Sequence, residues 1–504
     1  MSVSQLLHAW LWSNFAVLYG VGDFFIIFIY CMVRFYCILI FCFITVSTYA
    51  GKSYTLSATR GDITISNAST TPALSPGDTL FIPAAGRYTS VQYRHLKGDS
   101  SNKIWVIWLP GSEVKSPVIY QQVSSYNVSY VSIEGMRHFN FYGTHRFSYG
   151  IHDIVFQHCQ WVNPPGAYKD QPPLQWDDPY SPVSMVYAGR KYQTFYNVTF
   201  AGCMFDGYKN VNAIQISSNW NDSNNEINRS IALDFEFVAD TFQNLTNTYP
   251  VSVQAITGTG FGCKVRNCVF KNILGPGSKQ SSHSSSILWY GSIDVSYCFQ
   301  ENSYASLLRV IPGGWSRIPG YLNKNTACRA WRNIIHNNLS YSAFEFNRDI
   351  GGHRNKENGI YPIKASCVYN TIYRTRRTSY NGPYYGFVAD NVNQDTLECA
   401  YNLIIAPEHD YPYDPGRGYI VAIVARAPKH QTVTGNKVFR TWDRSILTDT
   451  IHYKPGNAAL LAGPASTNYA FITSDFNGKA LTPGRSPAYV GAVEADRYAP
   501  KRKK

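Results

Sequence analysis

The feature that most restricts this chain is a phrase it keeps repeating. A short run of alternating apolar residues reaches a Cys, Asn or Asp, and apolar residues resume at once. Nine copies are present: IVFQHCQWVN around Cys159, VTFAGCMFDGY around Cys203, FEFVADTFQNL around Asp240, CKVRNCVFKNI around Cys268, IDVSYCFQENS around Cys298, CRAWRNIIHNN around Asn333, SCVYNTIYRT around Asn370, ECAYNLIIAP around Asn402 and VTGNKVFRTW around Asn436. The key positions lie 44, 37, 28, 30, 35, 37, 32 and 34 residues apart. A repeat of this length is one rung of a solenoid, whose apolar side chains are buried only against the rungs above and below.

Helical solenoids have similar periods, but each of their units needs two amphipathic helices. Stretches such as VSVQAIT and SAFEFN alternate with period two, which belongs to strands. The composition agrees: 38 Tyr, 27 Phe and 11 Trp accompany 37 Gly and 26 Pro, and only 15% of residues are charged. The expected fold is all-β, a right-handed parallel β-helix of about ten or more rungs, with strands stacked about 4.8 Å apart. The phrase returns because the chain passes the same corner once per turn. An Asn there can hydrogen-bond its counterpart one rung on, and a Cys there is expected in a buried thiol ladder, with disulfides between rungs as the alternative.

The first fifty residues differ from the rest in carrying only Asp23 and Arg34 as formal charges. From Met32, the run MVRFYCILIFCFITVSTYA has a basic start, an apolar stretch and a small-x-small end, the three parts of a secretory signal. Residues 1–50 are therefore expected to be a leader with Met32 as the true start and cleavage after Ala50. Residues 51–496 then form a single domain, and 497–504 a basic tail. The alternative is a retained anchor from Phe24 to Val46, which Arg34 in its middle opposes. Export leaves eight of the 11 cysteines, a number that permits disulfides, and none has the paired spacing of a zinc site.

Both ends of the domain resemble a known group. LSPGDTLFIPAAGRYTSV, Leu74 to Val91, is similar to the opening turn of secreted right-handed β-helix proteins of the pectate-lyase-like superfamily. SDFNGKALTPGRSPAYVGAVEAD, Ser474 to Asp496, resembles their closing segment at Asp475, Asn477, Gly478 and Gly491 to Glu494. The resemblance implies the fold, secretion and contact with polysaccharide. It carries over no activity, because one scaffold hosts unrelated functions. The motif series of polygalacturonases is absent, RVIPGGWSR misplaces Pro312 relative to the pectate-lyase pattern, and SLLRVIPGG matches the alginate and chondroitin lyases only at Leu308 and Arg309.

The formal charge is +13, four of it in Lys501, Arg502, Lys503 and Lys504, which suits an acidic polymer. Export argues against nucleic acid and cleavage against lasting membrane insertion, so an anionic polysaccharide is the expected partner of a monomer. The strand after each corner carries neutral outward residues early, such as Gln215 and Gln254, and charged ones late: Arg309, Glu345, Asp390 and Arg426. On consecutive rungs these form a charged column, either a salt-bridge ladder or a site. Beside it in sequence lie Arg348, His353, Arg354, Arg376, Arg377 and Tyr384, able to hold carboxylates and stack on sugars.

Two chemistries fit. In β-elimination a base removes the proton beside a uronate carboxylate while a cation neutralises that carboxylate. Arg309 or Lys364 would be the base, with Glu345 and Asp390 stabilising or holding calcium, the expected cofactor of such a site. No residue is assigned as a dedicated metal ligand. Hydrolysis would instead use Glu345 and Asp390 as the carboxylate pair, at a separation nearer to retaining than inverting geometry. The expectation is a secreted lyase acting on an anionic, uronate-containing glycan, and the rival is a non-catalytic carbohydrate-binding or surface protein.

Overall fold

The structure is a computed structural model that describes residues 51–68, 73–115, 123–139, 145–163, 184–188, 193–207, 212–216, 230–246, 253–274, 284–310, 326–337, 342–346, 363–373, 385–389, 396–405, 421–423, 430–439, 469, 471–481 and 491–493. Residues 53–504 form one compact unit, and of residues 1–52 only Gly51 and Lys52 are described. The leader, its cleavage point and the basic tail lie outside the described residues. Among the described residues no helix is long and apolar enough to cross a membrane.

Among the described residues thirty-five strands pair in parallel into three faces, which the chain visits in the same order on each turn. The first face stacks His145–Phe147, Ser184–Ala188, Asn212–Ile216, the leading half of Gln254–Arg266, the leading half of Ser285–Ser296, Ser306–Val310, Ser342–Phe346, Tyr385–Ala389 and Val421–Ile423. The second face stacks Val128–Glu134, Ile151–Gln157 and Thr194–Ala201, and ends with Thr326–Trp331, Ile363–Val368, Thr396–Ala400 and His430–Thr434. The third holds short strands such as Gln160–Asn163, Met204–Gly207, Thr241–Gln243 and Val269–Lys271. This is the β-helix expected from the repeat.

Period-two alternation explains the core. Every second residue points inward and meets its own kind on the next rung, so rings stack along the solenoid axis. On the third face Trp161, Phe205, Phe242 and Phe270 follow one another at 4.7, 4.8 and 5.1 Å, with planes within 8°. On the second face Phe156, Phe200 and Phe237 do the same at 5.1 and 5.4 Å.

The corner between the second and third faces is where the repeated phrase turns. One residue takes a left-handed conformation, as at His158 (φ 50), Ala239 (φ 56), Asn267 (φ 56), Arg332 (φ 56) and Tyr401 (φ 56), and the next points inward. In the late rungs that inward residue is Asn. The Asn370 Oδ1 accepts both the Asn333 backbone N–H and its Nδ2–H at 3.0 Å, and Asn333 Nδ2 also donates to the Val295 carbonyl at 3.0 Å. The same set continues through Asn402 and Asn436. In the early rungs, Asp240 apart, it is Cys, whose thiol donates to the corresponding carbonyl: Cys159 to Ile133 at 3.4 Å, Cys203 to Phe156 at 3.4 Å, Cys268 to Phe237 at 3.5 Å and Cys298 to Val265 at 3.6 Å. All eight described cysteines are buried free thiols. Only four of them stand at this corner; Cys263, Cys328, Cys367 and Cys399 lie on second-face strands, and Cys367 stacks on Cys399.

The closing segment resembling that of β-helix proteins straps this corner. Gly491 donates its N–H to the Tyr401 carbonyl at 2.9 Å and accepts from Arg332 Nη1 at 2.6 Å, while Ala492 donates to Thr371 Oγ1 at 2.8 Å. Ala492 and Val493 are buried against Ile334, Tyr373, Leu403 and Ile405.

Candidate functional site

The late rungs bring together part of the expected charged column. Arg309 and Glu345 are partners in register on the first face, with Nε and Oε2 3.5 Å apart. Glu345 Oε1 accepts hydrogen bonds from the hydroxyls of Ser306 and of Ser342, the latter at 3.1 Å. These two serines open their strands, a position that is also polar one rung after another at Ser184, Asn212, Gln254 and Ser285. Gln254, read from sequence as outward, is in fact buried. The Arg309 and Glu345 side chains are only 4% and 0% exposed, which closes them to a polymer.

The rest of the column is corrected by the register. The residue beside Glu345 is Val388, and beside Val388 comes Ala422, so the expected alignment of Asp390 and Arg426 is shifted by two and four positions. Lys364 is exposed on the second face between Ala327 and Thr396, so the structure does not bring it to Arg309. Asp390, Arg426, Arg348, His353, Arg354, Arg376, Arg377 and Tyr384 lie outside the described residues.

A second cluster, which the sequence reading missed, stands on the early rungs at the corner between the first and second faces. Tyr130, Asp153 and Asn197 take left-handed conformations (φ 54, 54 and 53) inside strands otherwise alternating in and out. Such a bulge re-aims the side chains beside it, so His152 and Asp153 both escape the core, as do Tyr196 and Asn197. Ser129, His152 and Tyr196 are in register on successive rungs.

The cluster is tightly organised. His152 Nδ1 lies 2.8 Å from Asp153 Oδ2, and Asp153 Oδ1 accepts from Asn197 Nδ2. The carboxylate thereby holds the imidazole by Nδ1 and leaves Nε2 to take a proton. The Tyr196 ring stacks on His152 at 4.5 Å and 7°, and Tyr130 meets it edge-on at 5.5 Å. One strand earlier, Tyr126 packs on Tyr149 at 4.7 Å and on His95 at 5.1 Å, and His95 Nδ1 lies 2.9 Å from Asn127 Nδ2. Tyr149 and Tyr196 are each 40% exposed. The Tyr196 phenol is pushed up by burial, then by the charges of Asp153 and Tyr130.

Cations flank the rings. Arg94 is exposed beside Tyr126, Lys97 is exposed and bridges to Ser129, and Arg146 lies half-buried on the next rung of the first face. Rings that can lie against sugars, a carboxylate-held imidazole and three cations thus share one strip about four rungs long, roughly 15 Å at about 4.8 Å per rung. The signal for it in the sequence is a doubled polar pair between apolar residues, HD at 152–153 and YN at 196–197. Among the described residues no group of three His, Cys, Asp or Glu side chains is placed to hold a metal.

No family model matches the chain, and no curated protein matches it. Solved structures do overlap it. A GH136 lacto-N-biosidase from Eubacterium ramulus is 10% identical with a TM-score of 0.37, over 75% of this chain and 68% of that one. The pectate lyase Pel9A is 10% identical with a TM-score of 0.32, over 88% and 98%, and the PL6 family alginate lyase AlyGC is 11% identical with a TM-score of 0.33, over 75% and 53%. Overlaps this loose carry nothing about chemistry.

Proposed function

We propose that this chain acts on polysaccharide at the early-rung strip, as an extracellular, monomeric lyase that cleaves an anionic, uronate-containing glycan by β-elimination. The observation that carries the reading is the His152–Asp153 pair, oriented at 2.8 Å and set among partly exposed rings and cations. The sugar faces lie on Tyr196, Tyr149 and Tyr126. Lys97, in the same row as Ser129 and His152, neutralises the uronate carboxylate and so acidifies the proton on the neighbouring carbon, while Arg94 and Arg146 hold carboxylates further along the chain of sugars. His152 Nε2 takes that proton, its electron pair becomes the new carbon–carbon double bond, and the glycosidic oxygen departs. Tyr196, a phenol stacked on His152 and pushed up rather than down, is the neighbouring group able to give that oxygen a proton.

Asp153 is committed to His152 and Asn197, so the neutralising charge is assigned to the side-chain cations, and calcium is tested by addition. The test follows the ultraviolet absorbance of the unsaturated product on a panel of uronate polysaccharides, with and without calcium. A rise lost in His152→Ala supports the lyase. A flat trace without new reducing ends overturns it. If binding persists and is lost in Tyr196→Ala, the strip is a carbohydrate-binding surface, the second reading that the ring stacks favour. Hydrolysis by Glu345 and Asp390 is not favoured, since Val388 takes the row next to Glu345.

A further inference from the structure

Asp240 stands alone in the corner ladder. Every other inward residue there, from Cys159 to Asn436, brings a donor to the carbonyl three residues before the previous corner: Cys203 to Phe156, Cys268 to Phe237, Asn333 to Val295, Asn370 to Ala330 and Asn402 to Cys367. By the same register the Asp240 carboxyl meets the Phe200 carbonyl, one rung below. Its Oδ1 already accepts the Cys203 backbone N–H at 2.7 Å. Its Oδ2 is buried without a hydrogen-bond partner, the place where an Asn would carry Nδ2–H and a Cys its thiol. A carboxylate has only acceptors to offer there; a carboxylic acid has one donor.

We infer that Asp240 is carried as a neutral carboxylic acid whose proton completes the corner ladder, and that its ionisation loosens the solenoid at this rung. The titratable groups facing it are the thiols of Cys203 on the corner before and Cys268 on the corner after, and both feel its charge. Neither thiol supplies a counter-charge, since burial raises both. Burial pushes the Asp240 carboxyl up to about 8, against the pull of the Cys203 and Val238 backbone. The folded value is raised above the unfolded 3.8, so the stabilisation is fully present below about pH 4 and is lost as pH rises towards about 8.

The experiment is thermal unfolding of the full chain and of Asp240→Asn between about pH 5 and about pH 9. The wild type is expected to lose several degrees across this range relative to the variant, and Asn, which supplies the missing donor permanently, to remove that relative loss. Parallel pH profiles for the two chains overturn the inference. Infrared spectroscopy of the wild type at neutral pH provides the second measurement should the variant fail to fold. A carbonyl band of a buried protonated carboxylic acid that disappears on alkaline titration supports the assignment, and its absence at neutral pH sinks it.

Discussion

The early and late rungs are built from one strand-and-corner unit, yet they set similar polar residues on opposite sides of the water boundary. On Ile151–Gln157 a left-handed residue turns His152 and Asp153 outward to a strip where Tyr149 and Tyr196 are 40% exposed. On Ser306–Val310 and Ser342–Phe346, the Arg309–Glu345 pair and its serines are buried. The residue types alone favour the late pair as chemistry, since it joins a cation and a carboxylate on adjacent rungs. Access reverses that choice: of the two, the early cluster is the one open at the surface, and the late pair holds two rungs together.

The largest effects should separate the two regions cleanly. His152→Ala is expected to lower turnover by about 10²- to 10⁴-fold, the usual worth of a positioned base, at a stability cost of about 1 kcal/mol for the lost hydrogen bond and ring stack. Glu345→Ala should do the opposite, costing about 3–5 kcal/mol in urea unfolding because Arg309 is left charged and buried, with turnover per folded molecule kept. Loss of turnover in a folded Glu345 variant, with His152→Ala active, would move the site back to the late rungs.

A second pair of changes compares the two halves of the corner ladder. Asn370→Ala removes acceptor and donor together from Asn333, Asn402 and the Ala330 carbonyl, and should cost about 3 kcal/mol. Cys298→Ala removes one weak thiol donor to Val265 and leaves a small void, about 1–2 kcal/mol. Equal costs would show that the corner's backbone, not its ladder residue, carries the stability.

The early rungs also hide two histidines inside the solenoid, which sharpens the contrast in a pH scan. His138 and His145 are fully buried, and His145 Nε2 sits 3.0 Å from the Ser125 hydroxyl. Burial pulls His138 down to about 3, and burial followed by His138 lowers His145 well below its usual 6.5. A depressed histidine gives stability that is whole above about pH 6.5 and is lost as the pH falls, about 2 kcal/mol by about pH 5 for His138. Urea midpoints measured from neutral to acidic pH should fall in the wild type and fall less in His138→Asn.

The sequence made the corner legible and the rows of the first face illegible, for one physical reason. The ladder at Cys203, Asn333 and Asn370 needs particular side chains at a fixed place in each rung, so those residues recur and can be aligned. The first face follows inserted segments of unequal length, so taking the charged residues of successive strands as one row placed Asp390 beside Glu345, where Val388 stands. The early strip escaped notice because its bulges at Asp153 and Asn197 break period-two alternation, the very pattern used to tell inside from outside. The serine partners of Glu345 were equally hidden, since nothing about a Ser at a strand start marks it as buried.

The smallest expected effect tests whether burial is the true divider between structural and exposed charge. Arg329 and Asp294 repeat the chemistry of Arg309 and Glu345: a guanidinium and a carboxylate on neighbouring rungs, Nε to Oδ1 at 3.0 Å. Here the side chains are 44% and 23% exposed, and Arg329 also lies 5.9 Å over Trp331 and 5.7 Å over Phe471. The Asp294 carboxyl is raised by burial even with Arg329, Lys264 and Arg266 pulling it down, so this pair does little to hold its own charge in place. Arg329→Ala should therefore cost less than about 1 kcal/mol, with the loss shrinking further in high salt. A cost as large as that of Glu345→Ala, unaffected by salt, would mean that rung-to-rung ion pairing itself clamps the solenoid wherever it occurs, and the contrast between the two regions would have to rest on access of the glycan alone.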